Sequence, residues 1–139
     1  MNLSLLFSSH YASTWALVGV IWTIQLVHYP LFAQVGRDTF TAYHHRHMRQ
    51  ITWVVAPLML AELVTAVWLV MSGSRVPWLL VSLVPLAFNW ISTWRVHIPL
   101  HNTLAAGFDA HAHDRLVATN WWRTVAWTLR SVCVLVATR

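Results

Sequence analysis

The sequence is poor in charge, cysteine and glycine. Its nine basic residues are all arginine, and only four residues are acidic. Charged residues make up 9% of the chain, whereas soluble domains contain about 25%, so a soluble globular fold is excluded. The single cysteine, Cys133, excludes an internal disulfide framework. Four glycines provide no phosphate-binding loop, and no GxSxG nucleophile elbow occurs.

What the chain does contain is apolar sequence in blocks of membrane-spanning length. Hydrophobic residues form 58% of the chain, and about 20 of them in a row cross a bilayer as a helix. We therefore predict an all-α integral membrane four-helix bundle, a single transmembrane domain over residues 1–139. No basic segment precedes the first apolar run, so we expect a retained helix and not a signal peptide. The predicted spans are 13–35, 50–72, 77–98 and 119–137.

The placement of the arginines predicts the orientation of the chain. They are scattered, with no polybasic arm, so nucleic-acid binding has no support. Six of them border the first and third connections, which we expect to be long polar loops, and only Arg75 and Arg139 lie on the opposite side. By the positive-inside rule, both termini face outwards and the His-rich loops are cytoplasmic. The expected location is a bacterial inner membrane. The six arginines are Arg37, Arg46, Arg49, Arg95, Arg115 and Arg123.

The two halves of the chain resemble each other. Residues 27–31 (VHYPL) recur as residues 96–100 (VHIPL), and residues 40–45 match 108–113 at nearly the same offset. We predict two repeated helix–loop–helix hairpins, about 13–72 and 77–137, related by a parallel pseudo-twofold axis. Such a repeat would place His28 and His97 opposite each other at equal depth.

Eight of the nine histidines fall on the predicted cytoplasmic side, and only His10 does not. Imidazole binds iron, copper, zinc and nickel well. His28 and His97 close membrane spans, where an ionisable side chain is a functional candidate by default, so we predict that they bind a cofactor. His45, His111 and His113 are more simply interfacial polar residues. The candidate metal ligands are His28, His44, His47, His97 and His101.

Polar side chains also recur along the predicted spans, where they should point into the bundle because burying them in lipid is costly. Glu62, Asn120 and Arg123 are the candidate catalytic residues, with Glu62 as a proton relay. Glu62 and Arg130 occupy equivalent positions in the two halves. We predict that they form an ion pair, which would serve a structural role equally well.

The C-terminal third resembles the anthrone oxygenase-like family of small four-helix membrane proteins. The similarity rests on residues 98–102 (IPLHN), 120–124 (NWWRT) and 129–130 (LR). It implies oxygen-dependent oxidation of a hydrophobic aromatic substrate within the membrane. The positions carried over by this resemblance are His101, Asn102, Trp121 and Arg123.

Three functions follow from these features. The first is a membrane oxidoreductase whose histidines hold haem, non-haem iron or copper and which acts on a lipophilic substrate or quinone. The second is a non-enzymatic membrane protein, either a small transporter or an accessory subunit. The third is a cofactor-free oxygenase in which a histidine is the base. In each case the chain sits in the lipid bilayer, and because such proteins often dimerise, a homo-oligomer is also expected.

Overall fold

Residues 3–137 form four helices. The computed structural model describes residues 3–137, and within that range the backbone is almost entirely helical, with no strand. The all-α prediction is therefore confirmed. The helices are α1 (Leu3–Phe32), α2 (Arg37–Met71), α3 (Pro77–Ala105) and α4 (Ala110–Ala137).

Three of these helices have the length and composition of membrane spans. Helices α1, α2 and α3 are each long and apolar enough to cross a bilayer. Helix α4 has 28 residues, which corresponds to about 42 Å at 1.5 Å per residue, and it is more polar because it carries Arg123 and Arg130. The chain thus has the helices expected of a membrane protein.

The connections are shorter than the sequence suggested. Residues 33–36 and 106–109 are the first and third connections, so the prediction of two long polar loops is wrong. Residues 37–56 contain neither glycine nor proline, and nothing in them stops a helix from continuing past the apolar stretch. The histidines of the predicted loops therefore lie on helices. The tight turn at 72–76 is confirmed, and Gly73 adopts a positive φ of 84° there.

The helices pack in the order α2–α1–α4–α3. Helix α1 packs against α2 and α4, and α4 packs against α3, whereas α2 meets α3 mainly near the end of α3. We call the end of the bundle that holds connections 33–36 and 106–109 the loop end, and the opposite end the terminus end. Between the turn at 72–76 and the end of α3, few contacts join α2 to α3, and a gap remains between these two helices.

Two helices contain one π-helical turn each, at Ile24–His28 in α1 and Thr93–His97 in α3. Residue 93 follows residue 24 by 69 positions, and each turn ends one residue before an X-Pro step. Proline lacks an N–H and its ring clashes with the carbonyl four residues earlier, which disturbs regular α-helical bonding. The N–H groups of Tyr29 and Ile98 accordingly donate to carbonyls five residues earlier.

Apolar side chains form three core clusters along the bundle. Phe32, Phe40 and Leu104 belong to the cluster at the loop end, and all are fully buried. Leu17, Met59 and Trp127 belong to the middle cluster, and a smaller cluster lies at the terminus end. The polar side chains described next lie between these clusters.

Candidate functional site

A cavity of about 330 Å³ occupies the gap between α2 and α3. Its wall on α2 is almost wholly apolar, with Ile51, Val55 and Met59 among its members. All four helices contribute to the lining, and five side chains in it carry ionisable or hydrogen-bonding groups of interest. They are Tyr29, His47, His97, His101 and Arg123.

His97 is oriented by the π-helical turn that it closes. Its Nδ1 lies 3.1 Å from the backbone oxygen of Ser92, five residues earlier. A carbonyl oxygen can only accept a hydrogen bond, so Nδ1 carries the proton and Nε2 has a free lone pair. Nε2 is buried and has no hydrogen-bond partner among residues 3–137. His97 therefore provides a buried base or ligand atom at the cavity.

Arg123 is held in place by a chain of amides from α4 to α1. Its guanidinium donates to Asn120 Oδ1 at 3.1 Å, and Asn120 Nδ2 donates to Gln25 Oε1 at 2.8 Å. Gln25 in turn donates to the backbone oxygen of Val117 at 3.3 Å. The guanidinium also lies over the ring of Trp127, 5.0 Å from its centre. Asn120, predicted to be catalytic, thus contacts Arg123 and positions it.

A buried hydrogen-bonded chain runs from the cavity towards the loop end. Tyr29 Oη lies 3.0 Å from His101 Nε2, and His101 Nδ1 lies 3.2 Å from His44 Nε2. The His44 ring is fully buried and stacks on Phe40, with ring centres 5.5 Å apart. His113 Nε2 donates to the backbone oxygen of Tyr29 at 2.8 Å. This chain can pass a proton between the cavity and His44.

The predicted ion pair between Glu62 and Arg130 is confirmed. Arg130 Nε lies 2.6 Å from Glu62 Oε1, and both side chains are fully buried. The carboxylate also accepts from Thr14 at 3.1 Å and from Trp127 Nε1 at 3.3 Å. We call this group, with His10, Thr65 and Ser82, the terminus-end cluster.

The terminus-end cluster joins all four helices. Arg130 donates to the backbone oxygen of Ser82 on α3 and, at 3.0 Å, to its hydroxyl. His10 on α1 lies 3.3 Å from Arg130 and 2.8 Å from Thr65 on α2. The sequence predicts no role for His10, which lies apart from the other histidines. Its four-residue spacing from Thr14 was the available signal.

Glu62 is not part of the cavity lining. Its carboxylate is occupied by Arg130, Thr14 and Trp127. This arrangement favours the structural role of the pair, and the proton-relay role of Glu62 stays a prediction.

The candidate metal ligands form pairs and not a larger group. The rings of His28 and His47 lie 5.5 Å apart, and His44 is hydrogen-bonded to His101. Between residues 3 and 137, no three His, Cys, Asp or Glu side chains lie where they could hold a metal ion together. The described residues thus provide no site with three or more such ligands, and the haem, iron and copper predictions stay predictions.

The two proposed cofactor ligands border different spaces. His97 lines the cavity, whereas His28 lines a groove between α1 and α2 whose other walls include Gly19 and Val54. A ligand shared by His28 and His97 therefore gains no support from the cavities.

The positions carried over from the family resemblance divide in the same way. His101 and Arg123 line the cavity, while Asn102 is exposed and Trp121 packs edge-on against Trp22 on the bundle surface. His45 and His111 are exposed, as expected for interfacial residues. His113 is instead buried and bonded to α1.

No protein-family model, curated protein or solved structure matches the chain.

Proposed function

We propose that all four helices cross the membrane as one bundle, with the loop end in the cytoplasm. Helix α4 turns a buried polar face with Asn120, Arg123 and Arg130 towards the other helices. Its opposite face exposes apolar side chains, among them Trp122 and Leu129. That distribution suits a helix with lipid outside and a polar interior, and the arginines near the loop end support the orientation.

The bundle arose, in this proposal, by duplication of a helix–loop–helix hairpin. Support comes from the two π-helical turns, which share the 69-residue offset of the sequence repeat. The halves have since diverged, because His97 lines the cavity whereas His28 lines the groove between α1 and α2.

The function that the geometry supports best is that of a membrane-embedded, cofactor-free oxygenase. It acts on a lipophilic substrate with an acidic C–H bond, as the resemblance to the anthrone oxygenase-like family implies. One observation carries this proposal: His97 and Arg123 both line a mostly apolar cavity, and the buried Nε2 of His97 has no hydrogen-bond partner among the described residues. A base beside a cation is the arrangement needed to form and hold a carbanion.

The reaction begins when substrate enters from the bilayer between α2 and α3. His97 Nε2 takes a proton from the substrate methylene group, and the charge delocalised onto a substrate oxygen is stabilised by Arg123. The carbanion gives its electrons to molecular oxygen, which forms a C–O bond and a peroxide. Protonation of the peroxide and loss of water leave a ketone, so that one methylene group and one oxygen molecule become one carbonyl group and one water molecule.

The chain of Tyr29, His101 and His44 supplies the proton transfers in this scheme. Each histidine exchanges a proton between its two nitrogens, and one shift along the chain moves one proton between the cavity and His44. His97 Nε2 has no hydrogen bond to this chain among the described residues, so in this proposal Tyr29 protonates the peroxide and the proton held on His97 passes to the water that the reaction releases.

The test is oxygen uptake by nanodisc-embedded protein with anthrone as the probe substrate at pH 7. We expect His97→Ala to lower the rate at least ~100-fold, with anthraquinone as the product of the unmodified protein. His111→Ala is the matched control, because His111 is an exposed histidine at the same end of the bundle. Equal rates of oxygen uptake by His97→Ala and His111→Ala would show that His97 takes no part in the reaction.

A further inference from the structure

Arg123 is a buried cation that no side-chain carboxylate neutralises. The chain has four acidic residues, and Glu62 is bound to Arg130 in the terminus-end cluster. The other three lie near the loop end with exposed side chains, away from the buried face of α4. They are Asp38, Asp109 and Asp114.

The contacts that Arg123 does make leave its charge uncompensated. Asn120 is neutral and accepts one N–H, the Trp127 ring offers only its π face, and the third contact, the Tyr29 phenol, is a hydrogen-bonding group and not a carboxylate. The side chain is 5% exposed, and its Nε has no hydrogen-bond partner among the described residues. A cation removed from water needs an opposite charge to remain ionised at low cost.

A second donor of the cavity also lacks a partner. Trp90 lines the cavity, and its Nε1 is buried without an acceptor in the part of the chain that the structure describes. Besides Tyr29 and the three histidines, the lining thus holds one guanidinium and one indole N–H, while the α2 wall is mostly apolar. Its complement is an apolar molecule with oxygen atoms that accept hydrogen bonds and carry negative charge.

We propose that the cavity binds its ligand as a monoanion, with an ionised oxygen of a carboxylate, phenolate or enolate paired to Arg123. One cation calls for one negative charge, because a neutral ion pair is tolerated inside a membrane better than either charge alone. The inference concerns the same cavity as the proposed oxygenase and adds to that function the charge of the ligand.

The test compares two probes that differ in charge alone as closely as possible, 2-naphthoate and 2-naphthylmethanol. Binding is measured at pH 7 by equilibrium dialysis with protein in phosphatidylcholine nanodiscs, and empty nanodiscs give the partitioning to be subtracted. We expect the unmodified protein to bind naphthoate at least ~10-fold more tightly than the alcohol, since a charge-assisted hydrogen bond is about twice as strong as a neutral one.

Three variants locate the effect. Arg123→Gln abolishes the preference for naphthoate, Arg123→Lys keeps part of it, and Arg95→Gln retains it in full because Arg95 is exposed and lies outside the cavity lining. Equal binding of the two probes, failure to bind either, or an unchanged preference in Arg123→Gln would overturn the inference. If Arg123→Gln does not fold, the two probes on the unmodified protein decide the question alone.

The outcome is separable from that of the oxygenase proposal. Preferential binding of naphthoate by a protein that consumes no oxygen with anthrone would support the anion site and contradict the oxygenase. Oxygen consumption with anthrone by a protein that binds the two probes equally would support the oxygenase and contradict the anion site.

Discussion

Arg123 lies over the ring of Trp127, 5.0 Å from its centre, and Trp127 in turn donates its indole N–H to Glu62 at 3.3 Å. One side chain on α4 therefore touches both the cation of the cavity and the carboxylate of the terminus-end cluster. The two polar groups of the bundle interior are physically adjacent, so substitutions in one are expected to affect the other through Trp127.

Trp127→Phe separates the two contacts of this residue. The variant keeps an aromatic face under Arg123 and loses the hydrogen bond to Glu62, which should lower the free energy of unfolding by about 1 kcal/mol. Naphthoate binding should be retained. Trp127→Leu removes both contacts and should weaken binding as well. Thermal unfolding in detergent and dialysis with the same probe check the two halves of this prediction.

Glu62→Gln tests the ion pair. Removing one partner of a buried pair leaves an uncompensated charge, which costs about 3–5 kcal/mol, so the unfolding temperature should fall sharply. Asp114→Asn is the control and should leave it unchanged, because Asp114 is exposed. A double variant, Glu62→Leu with Arg130→Met, should regain much of the lost stability, since no charge remains buried. An unfolding temperature unaffected by Glu62→Gln would contradict the structural role.

Much of the fold and part of the site follow from the sequence, and the remainder depends on packing. The helices were readable from apolar block length, and the pairing of Glu62 with Arg130 from their equivalent positions in the repeat. Hydropathy marks only the apolar part of a helix, so it predicts a loop over residues 36–49, where the helix in fact begins at Arg37. His10 and Tyr29 acquire their contacts from other helices, and no local pattern reveals which helix faces lie together.

The five predicted metal ligands illustrate the same limit. His44 and His47 lie on one helix three residues apart, but His44 bonds to His101 and His47 packs against His28. Both rings contact Phe32, but each makes its histidine contact on a different helix. The sequence shows the X-Pro steps that follow the π-helical turns, but an X-Pro step alone does not predict such a turn.

Substitution of the two prolines tests the role of the π-helical turns. Pro99→Ala restores an N–H donor and should let α3 revert to regular α-helical bonding, which turns His97 away from its present position. Oxygen uptake with anthrone should fall nearly as far as in His97→Ala. Pro30→Ala is the matched control and should remain active, because His28 does not line the cavity. Equal activity of the two variants would show that the turn does not position the base.

Tyr29→Phe tests the proposed proton route. It removes the hydroxyl bonded to His101 but keeps the aromatic ring in the cavity lining. The rate of oxidation should fall about 10- to 100-fold, the lower range of what a positioned acid–base group contributes. A matched fall in His44→Gln would support a continuous chain, because His44 does not line the cavity. If His44→Gln oxidises anthrone as fast as the unmodified protein does, the proton route does not extend beyond His101.

The most direct test of the cofactor-free account is to measure metal content and oxygen uptake on one sample of folded, nanodisc-embedded protein. We predict that protein containing far less than one iron, copper or zinc per chain consumes oxygen with anthrone at full rate, and that chelators leave the rate unchanged. Activity that rises in proportion to bound iron or copper, or that disappears on chelation, would contradict the account and return the histidines to the role of metal ligands.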